Sequence, residues 1–180
     1  GVDLSIRGHT GPLPDSSLVQ RKLAAVEWNL FCATGYEEHN GSIDDPVDLA
    51  EHHTLALGWQ SPRGKWSLQK YSGERIDVDI APRLKSEDMS TLKEAAVHGL
   101  GVVSLPAYTC RQEIRDGRLE RVLPEWHAGV AQLSLVQPSR RGMSPPVQAL
   151  LDCLLAEFAD SVHASSEDSP SESVGDGEQQ

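Results

Sequence analysis

The chain of 180 residues is 38% hydrophobic and 24% charged, enough apolar material for one domain or two small lobes with a packed core. Its formal net charge of -11 argues against nucleic-acid binding by this chain, because phosphate contacts require clustered lysine and arginine. The longest apolar runs are too short to cross a bilayer, which argues against a membrane-spanning protein.

The cysteines Cys32, Cys110 and Cys153 are odd in number and far apart in the sequence. This spacing suits neither a zinc site nor a disulfide framework, so the sequence predicts three reduced thiols. The chain begins with Gly1 inside a predicted strand and shows no leader peptide, so we expect a fragment of a longer protein.

Segments with strand and helix periodicity alternate along the chain, which predicts an α/β fold with largely parallel sheets. Extended segments are predicted over residues 2–6, 18–33, 75–80, 102–105, 119–123 and 132–137. Helices are predicted over 87–98 and 107–115, and for three turns after Ser144-Pro145. A polar connection is predicted over 37–48, and a hairpin places Trp66 and Leu68 on one face.

The helix over 87–98 has the clearest boundary signals. Ser86 is the predicted N-cap, and Glu87 and Asp88 then lie in the first turn, where the helix dipole favours carboxylates. Gly99 follows the last periodic residue as a C′ glycine, and Pro106 ends the next strand.

Nucleotide binding and nucleophilic catalysis find little support in the sequence. Gly99-Leu100-Gly101 follows a helix and precedes a strand, the reverse of a nucleotide-binding fingerprint. Ser16-Ser17 beside Asp15 lacks both the glycine-flanked elbow and a histidine placed to act as base, so these residues are interpreted as turn formers.

The histidines do not form a metal-binding pattern. His52 and His53 are adjacent, so their side chains diverge on a helix or a strand, and neither His127 nor His163 has a partner at ligand spacing. The sequence therefore predicts no metal and no cofactor.

Short motifs in a fixed order resemble the effector-binding domain of LysR-type transcriptional regulators over residues 2–163. The segments that carry the resemblance are Asp3-Leu4-Ser5-Ile6-Arg7, Leu13-Pro14-Asp15-Ser16-Ser17-Leu18, Tyr36 with Pro46-Val47-Asp48-Leu49 and His53, Asp88 with Leu92, Ala95-Ala96, Gly99-Leu100-Gly101 and Leu105-Pro106, Gly117-Arg118-Leu119 with Val122-Leu123-Pro124 and Trp126, and Pro138-Ser139-Arg140-Arg141 with Ser144-Pro145.

This resemblance implies a type 2 periplasmic-binding-protein-like fold, with two α/β lobes joined by two crossover strands. Residues 1–27 and 131–163 would form an incomplete first lobe, and 28–130 the second lobe. Residues 164–180, which carry five carboxylates and no basic residue, are predicted to be a disordered acidic tail.

The resemblance also implies an effector site in the cleft between the lobes. The candidate residues are Ser86, Glu87, Asp88, Thr34, Gly35, Arg7 and His9. Two departures from the family pattern stand out: Glu87, where Asn, Thr or Ser is usual, and Thr34-Gly35, where a Ser-Pro or Ala-Pro pair is usual. Glu87 would repel an anionic effector, so either it points away from the cleft, or the ligand is neutral or cationic, or no small anionic inducer exists. Alternatively, Glu87 and Asp88 only cap a solvated helix end.

The function that follows from the resemblance is effector binding and oligomerisation in a cytoplasmic regulator. The intact protein would be a dimer or tetramer, would bind a small molecule, and would contact DNA only through a helix-turn-helix missing from this chain. No catalytic residue is predicted. The alternatives are a stand-alone solute-binding protein of the same fold, or a small α/β enzyme.

Overall fold

The computed structural model describes residues 4–9, 19–58, 64–137 and 144–166. Its strands are β1 (Ser5–His9), β2 (Val19–Ala33), β3 (Thr54–Leu57), β4 (Lys65–Lys70), β5 (Arg75–Asp79), β6 (Pro82–Ser86), β7 (Val102–Pro106), β8 (Leu119–Val122), β9 (Trp126–His127) and β10 (Val130–Gln137). Its helices are α1 (Tyr36–Asn40), a 3-10 helix (Pro46–Ala50), α2 (Met89–Val97), α3 (Ala107–Arg115) and α4 (Pro145–Ser166).

The described residues divide into two compact units, each made of separate stretches of sequence. The first unit contains 4–7, 19–24, 133–137 and 144–166, and the second contains 8–9, 25–58 and 64–132. The backbone therefore passes between the units inside β1, after Arg7, inside β2, after Ala24, and inside β10, after Gln132.

In the first unit the strands follow the order β1-β10-β2. Gln20 Nε2 donates a hydrogen bond to Ser134 Oγ at 2.9 Å, which ties β2 to β10. Helix α4 buries Leu151 completely but leaves Leu150 half-exposed. It extends to Ser166, and residues 167–180 of the predicted tail lie outside the described residues.

The main sheet of the second unit has the strand order β2-β7-β3-β6, with β8 along the other edge of β2. β3 runs parallel to β6 and β7, whereas β2 runs antiparallel to both β7 and β8. The sequence-based expectation of largely parallel sheets was wrong, because only the strands joined by a helical crossover, such as β6 and β7 through α2, need to be parallel.

A second sheet, with the order β5-β4-β9, is antiparallel throughout. Trp66 and Leu68 of β4 are 2% and 1% exposed, which confirms the predicted hairpin and its apolar face. They belong to a core cluster that also contains Leu30 and Val102 on one face of the main sheet. Phe31 and Val103, the next residues along those strands, belong to the cluster that contains Leu92 of α2.

Several element predictions differ from the structure. β1 begins at Ser5 and continues through Arg7-Gly8 to His9, so it is not a strand over 2–6 that ends at Arg7. The predicted polar connection over 37–48 contains α1 and the start of the 3-10 helix. β3 and β6 were not predicted, because each is only four or five residues long and β6 begins with a proline.

A buried carboxylate joins α2 to α3. Glu113 is 4% exposed. Its Oε1 lies 2.7 Å from Lys93 Nζ on α2 and 3.5 Å from Arg118 Nη2. The hydrogen bond from Lys93 keeps the pKa of Glu113 below its ordinary value. Because folding lowers the pKa of Glu113, the Glu113–Lys93 ion pair stabilises the fold at pH values above the unfolded-state pKa of Glu113. This stabilisation is lost as the pH falls through the folded-state pKa.

We expect Glu113→Gln to lower the free energy of unfolding by about 1–2 kcal/mol at pH 7, because Lys93 then faces a neutral amide. Urea unfolding at pH 7 and at pH 3 measures this, with Glu94→Gln, an exposed residue of α2, as the control for the change of charge. The Glu113→Gln effect should shrink in acid. An equal loss at both pH values would contradict the ion-pair account.

Candidate functional site

The carboxyl ends of β3, β6 and β7 lie at one edge of the main sheet, because these three strands are parallel. Leu57, the last residue of β3, is the register partner of Ser86, the last residue of β6. The Gly58 N–H donates to the Ser86 carbonyl oxygen at 3.3 Å and continues this pairing past the strand. In open α/β sheets ligands bind outside such an edge, so we name Gly58, Ser86, Glu87 and Asp88 the carboxyl-edge site.

Asp88, not Ser86, is the N-cap of α2. Its carboxylate accepts hydrogen bonds from the backbone N–H groups of Ser90 and Thr91, at 3.2 and 3.0 Å, and from the Thr91 hydroxyl. Ser86 is still in β6, and its hydroxyl accepts from the Asp88 N–H at 3.0 Å. Hydrogen bonds from the Thr91 hydroxyl and the Thr91 and Ser90 backbone hold the pKa of Asp88 below its ordinary value. The helix therefore provides its own anion, and those two N–H groups are not free for an anionic ligand.

Glu87 lies between the end of β6 and the cap. Its carboxylate lies beside Gly58, where a Cβ would meet the Glu87 Oε1 and the Glu87 side chain would have to move. Among the described residues, no hydrogen-bond donor or cation pairs with this carboxylate, and the side chain is exposed. Within the described ranges, Glu87 thus presents a carboxylate without a paired cation at the carboxyl edge.

Thr34 and Gly35 lie at the opposite edge of the same sheet. β2 is antiparallel to β7, with Trp28 opposite Pro106 and Phe31 opposite Val103, so β2 ends beside the beginning of β7. The Thr34 N–H donates to the Arg118 carbonyl oxygen at 3.2 Å, and the Gly35 N–H to Glu120 Oε1 at 3.1 Å. A five-residue strand spans about 16 Å, so one small ligand cannot contact this turn and the carboxyl edge together.

Arg7 and His9 are residues of β1 and not of a loop after it. Arg7 is exposed and belongs to the first unit, whereas His9 is half-buried and belongs to the second.

The structure brings together Ser86, Glu87 and Asp88 and adds Gly58, which the sequence reasoning missed. The signal for Gly58 was a glycine after the short apolar run of β3, and that strand was not predicted.

The histidines and the glycine that the sequence analysis considered for metal or nucleotide binding have structural contacts instead. His52 is buried with its ring 5.8 Å from that of Tyr36, and His127 Nδ1 accepts from the Gly129 N–H. Gly99, with φ +73, is the C′ residue of α2 as predicted. Within the described ranges no cluster of metal-ligating side chains occurs, and no helix there is both long and apolar enough to cross a membrane. Asp15 and Ser16-Ser17 lie outside the described residues, as does the side chain of His163.

The three cysteines are free thiols in different surroundings. Cys32 and Cys110 are buried, and Cys153 is exposed on α4. Burial raises the pKa of Cys32 to about 12 and that of Cys110 to about 11, with nearby Glu120 adding to the first and Glu113 to the second. Both buried thiols are therefore protonated near neutral pH and poor nucleophiles.

Two α/β units that share the long strands β2 and β10, each of which begins in one unit and ends in the other, fit the class of type 2 periplasmic-binding-protein-like domains. The comparisons agree with this class and give the family. The model of the LysR substrate binding domain matches residues 1–159, so the chain belongs to that family. The fold expected from the sequence is confirmed.

The relatives and solved neighbours are transcriptional regulators by name. The chain is 28% identical over 164 residues to an HTH-type transcriptional repressor of Pseudomonas aeruginosa, covering 89% of this chain and 50% of that protein. It is 31% identical over 161 residues to an HTH-type transcriptional regulator of Xanthomonas campestris, covering 87% and 46%. The regulatory domain of AphB from Vibrio vulnificus superposes with a TM-score of 0.72 at 27% identity, covering 86% of this chain and 75% of that domain. The chain thus spans about half the length of the curated relatives it matches.

We expect Asp88→Ala to lower the melting temperature by a few degrees at pH 7, since α2 loses its cap. Asp88→Asn should retain most of the stabilisation by the cap, because Asn also caps helices. The stabilisation by the Asp88 carboxylate is present above its unfolded-state pKa and lost as the pH falls through the depressed folded-state pKa. Thermal unfolding from pH 7 to pH 2 checks this. Equal melting temperatures for the alanine variant and the wild type at pH 7 would contradict the capping assignment.

We expect a thiol reagent such as DTNB to modify one cysteine, Cys153, rapidly in the native chain at pH 8, and all three after unfolding in guanidinium chloride. The absorbance of the released chromophore counts the thiols. Cys153→Ser should abolish the rapid native phase. A second thiol reacting at a comparable rate would show that Cys32 or Cys110 is not held protonated by burial.

Proposed function

We propose that this chain is the effector-sensing part of a LysR-type transcriptional regulator and binds a small molecule at the carboxyl-edge site. The observation that carries the proposal is the family match over residues 1–159, together with relatives that are named HTH-type transcriptional regulators. In the intact, cytoplasmic and oligomeric protein, DNA would be bound through a helix-turn-helix outside this chain. Effector binding would favour one arrangement of the two units and so change DNA binding.

The charges at the carboxyl-edge site favour a neutral or cationic effector. Asp88 satisfies two helix N–H groups that would otherwise attract an anion, and Glu87 adds a second carboxylate, which has no partner among the residues that the structure describes. A ligand that donates hydrogen bonds, or carries an amine, would find a partner in Glu87. Thr34 and Gly35 would not contact the same ligand, because they lie at the other edge of the sheet.

The proposal includes no catalysis and no cofactor. The solved AphB domain was treated with cumene hydroperoxide, an oxidant. In this chain the raised pKa values of Cys32 and Cys110 argue against oxidation of these two thiols as the source of a signal. A stand-alone solute-binding protein is disfavoured by the relatives, which are named as regulators.

A thermal-shift screen of amines, neutral metabolites and carboxylates on the full-length protein tests the proposal. A compound that binds only the folded form raises the melting temperature. We expect stabilising compounds among the amines or neutral compounds, and we expect Glu87→Gln to weaken binding of an amine about tenfold, as loss of one charged hydrogen bond predicts. The matched control is Glu94→Gln. Hits confined to carboxylates, or a Glu87→Gln variant with unchanged affinity for an amine hit, would contradict the site assignment.

A further inference from the structure

Two short segments of the second unit pair with each other: residues 27–29 of β2, and residues 126–129, which lead into β10. The Trp28 N–H donates to the Gly129 carbonyl oxygen at 3.0 Å, and the Ala128 N–H donates to the Trp28 carbonyl oxygen at 2.7 Å. We call these the crossover segments, because β2 and β10 contain two of the points at which the backbone passes between the units. Two side chains from other elements contact both of them.

The first of these side chains is Tyr71, in the turn between β4 and β5. Its hydroxyl donates to Glu27 Oε2 at 2.9 Å, which ties the turn to the first crossover segment. Its ring lies 5.5 Å from the His127 ring, in the second crossover segment. The Tyr71 N–H also donates to the Glu125 carbonyl oxygen at 3.2 Å, so the turn is held at this position by the backbone as well.

The second is Arg121 of β8. Its Nη2 donates to the Asn29 amide oxygen at 3.0 Å and lies 3.4 Å from the Trp126 carbonyl oxygen, one acceptor in each crossover segment. The same nitrogen donates to the Tyr71 hydroxyl at 3.0 Å. Asn29 is 4% exposed, so this part of the network is shielded from water.

The phenol of Tyr71 connects a cation to an anion. It accepts from the Arg121 guanidinium and donates to the Glu27 carboxylate, so both hydrogen bonds involve a charged group and are stronger than neutral ones. Removing the hydroxyl breaks both bonds at once and leaves the aromatic contact with His127 in place. The hydroxyl is therefore the atom whose loss tests the network with the least change in packing.

We propose that Tyr71 and Arg121 form a clamp that fixes the two crossover segments against each other, and that this clamp sets how the intact regulator responds to its effector. The first claim, that the clamp fixes the segments, is the mechanical half of the inference and stands without the proposed function. The second claim, that the clamp sets the effector response, is the regulatory half and rests on the proposed function. A change in the arrangement of the units acts on β2 and β10, since each of these strands continues from one unit into the other, as β1 also does after Arg7. Loosening the segments where they enter the second unit changes the balance between arrangements without altering the carboxyl-edge site.

Hydrogen exchange measured by mass spectrometry on the 180-residue chain tests the mechanical half. We expect Tyr71→Phe to speed amide exchange about fivefold to tenfold in peptides covering 25–33 and 126–132, and to change α2 and β7 less than twofold. Arg121→Lys, which keeps the charge but loses the planar fork, should act on the same peptides. The matched control is Tyr108→Phe, because Tyr108 is half-exposed on α3 and far in sequence from both segments. No change, or a uniform increase across the unit, would overturn the clamp.

The regulatory half is tested in the full-length protein with a reporter gene and a stabilising compound from the thermal-shift screen. Tyr71→Phe should shift the compound concentration for half-maximal response at least threefold, while Tyr108→Phe should not. An unchanged response together with faster exchange would overturn the regulatory half and leave the clamp as a structural element. A wild-type protein that responds to no compound would overturn the proposed function, while the exchange result would still decide the mechanical half.

Discussion

The antiparallel pairing of β2 with β7 and β8 is the interaction on which the second unit depends. β2 is 15 residues long and pairs with β7 along one edge and β8 along the other. Leu30, Phe31 and Cys32 at the centre of this pairing are at most 1% exposed and contribute to the cores on both faces of the sheet. A strand that is hydrogen-bonded on both edges and buried on both faces cannot shift its register without losing all of these contacts. The direction of β2 therefore fixes which turn lies at which edge.

This constraint explains the different roles of two polar segments that both looked functional. The turn at Thr34-Gly35 ends β2 and is held by β8, at the amino ends of the parallel strands. The residues from Ser86 to Asp88 follow β6 at the carboxyl ends, where ligands bind in related sheets. There the two adjacent carboxylates differ. The Asp88 carboxylate accepts hydrogen bonds as the N-cap of α2, whereas Glu87 remains without a charged partner among the described residues. Of these two carboxylates, Glu87 is therefore the one that is available to a ligand at this edge.

The sequence predicted those elements whose signals are local. The apolar alternation of Trp66 and Leu68 gave the hairpin, and Asp116-Gly117 gave the end of α3. The family resemblance supplied the fold class, which no single element specifies. The N-cap of α2 was predicted at Ser86 and lies at Asp88, because serine and aspartate both cap helices. Ser86 instead belongs to β6, since it pairs with Leu57 of β3, and no local sequence pattern shows this pairing. The separation of Thr34 from Glu87 depends on strand order and direction, so the residues themselves carry no signal for it.

The location of the effector site is the central claim, and a nuclear magnetic resonance titration of the full-length, nitrogen-15-labelled protein tests it most directly. With a compound that stabilises the fold, the account predicts that the largest amide shift changes fall at Gly58 and at residues 86–89, with little change at Thr34 and Gly35. Shift changes concentrated at residues 34–36 and 118–120, with the carboxyl edge unaffected, would contradict it.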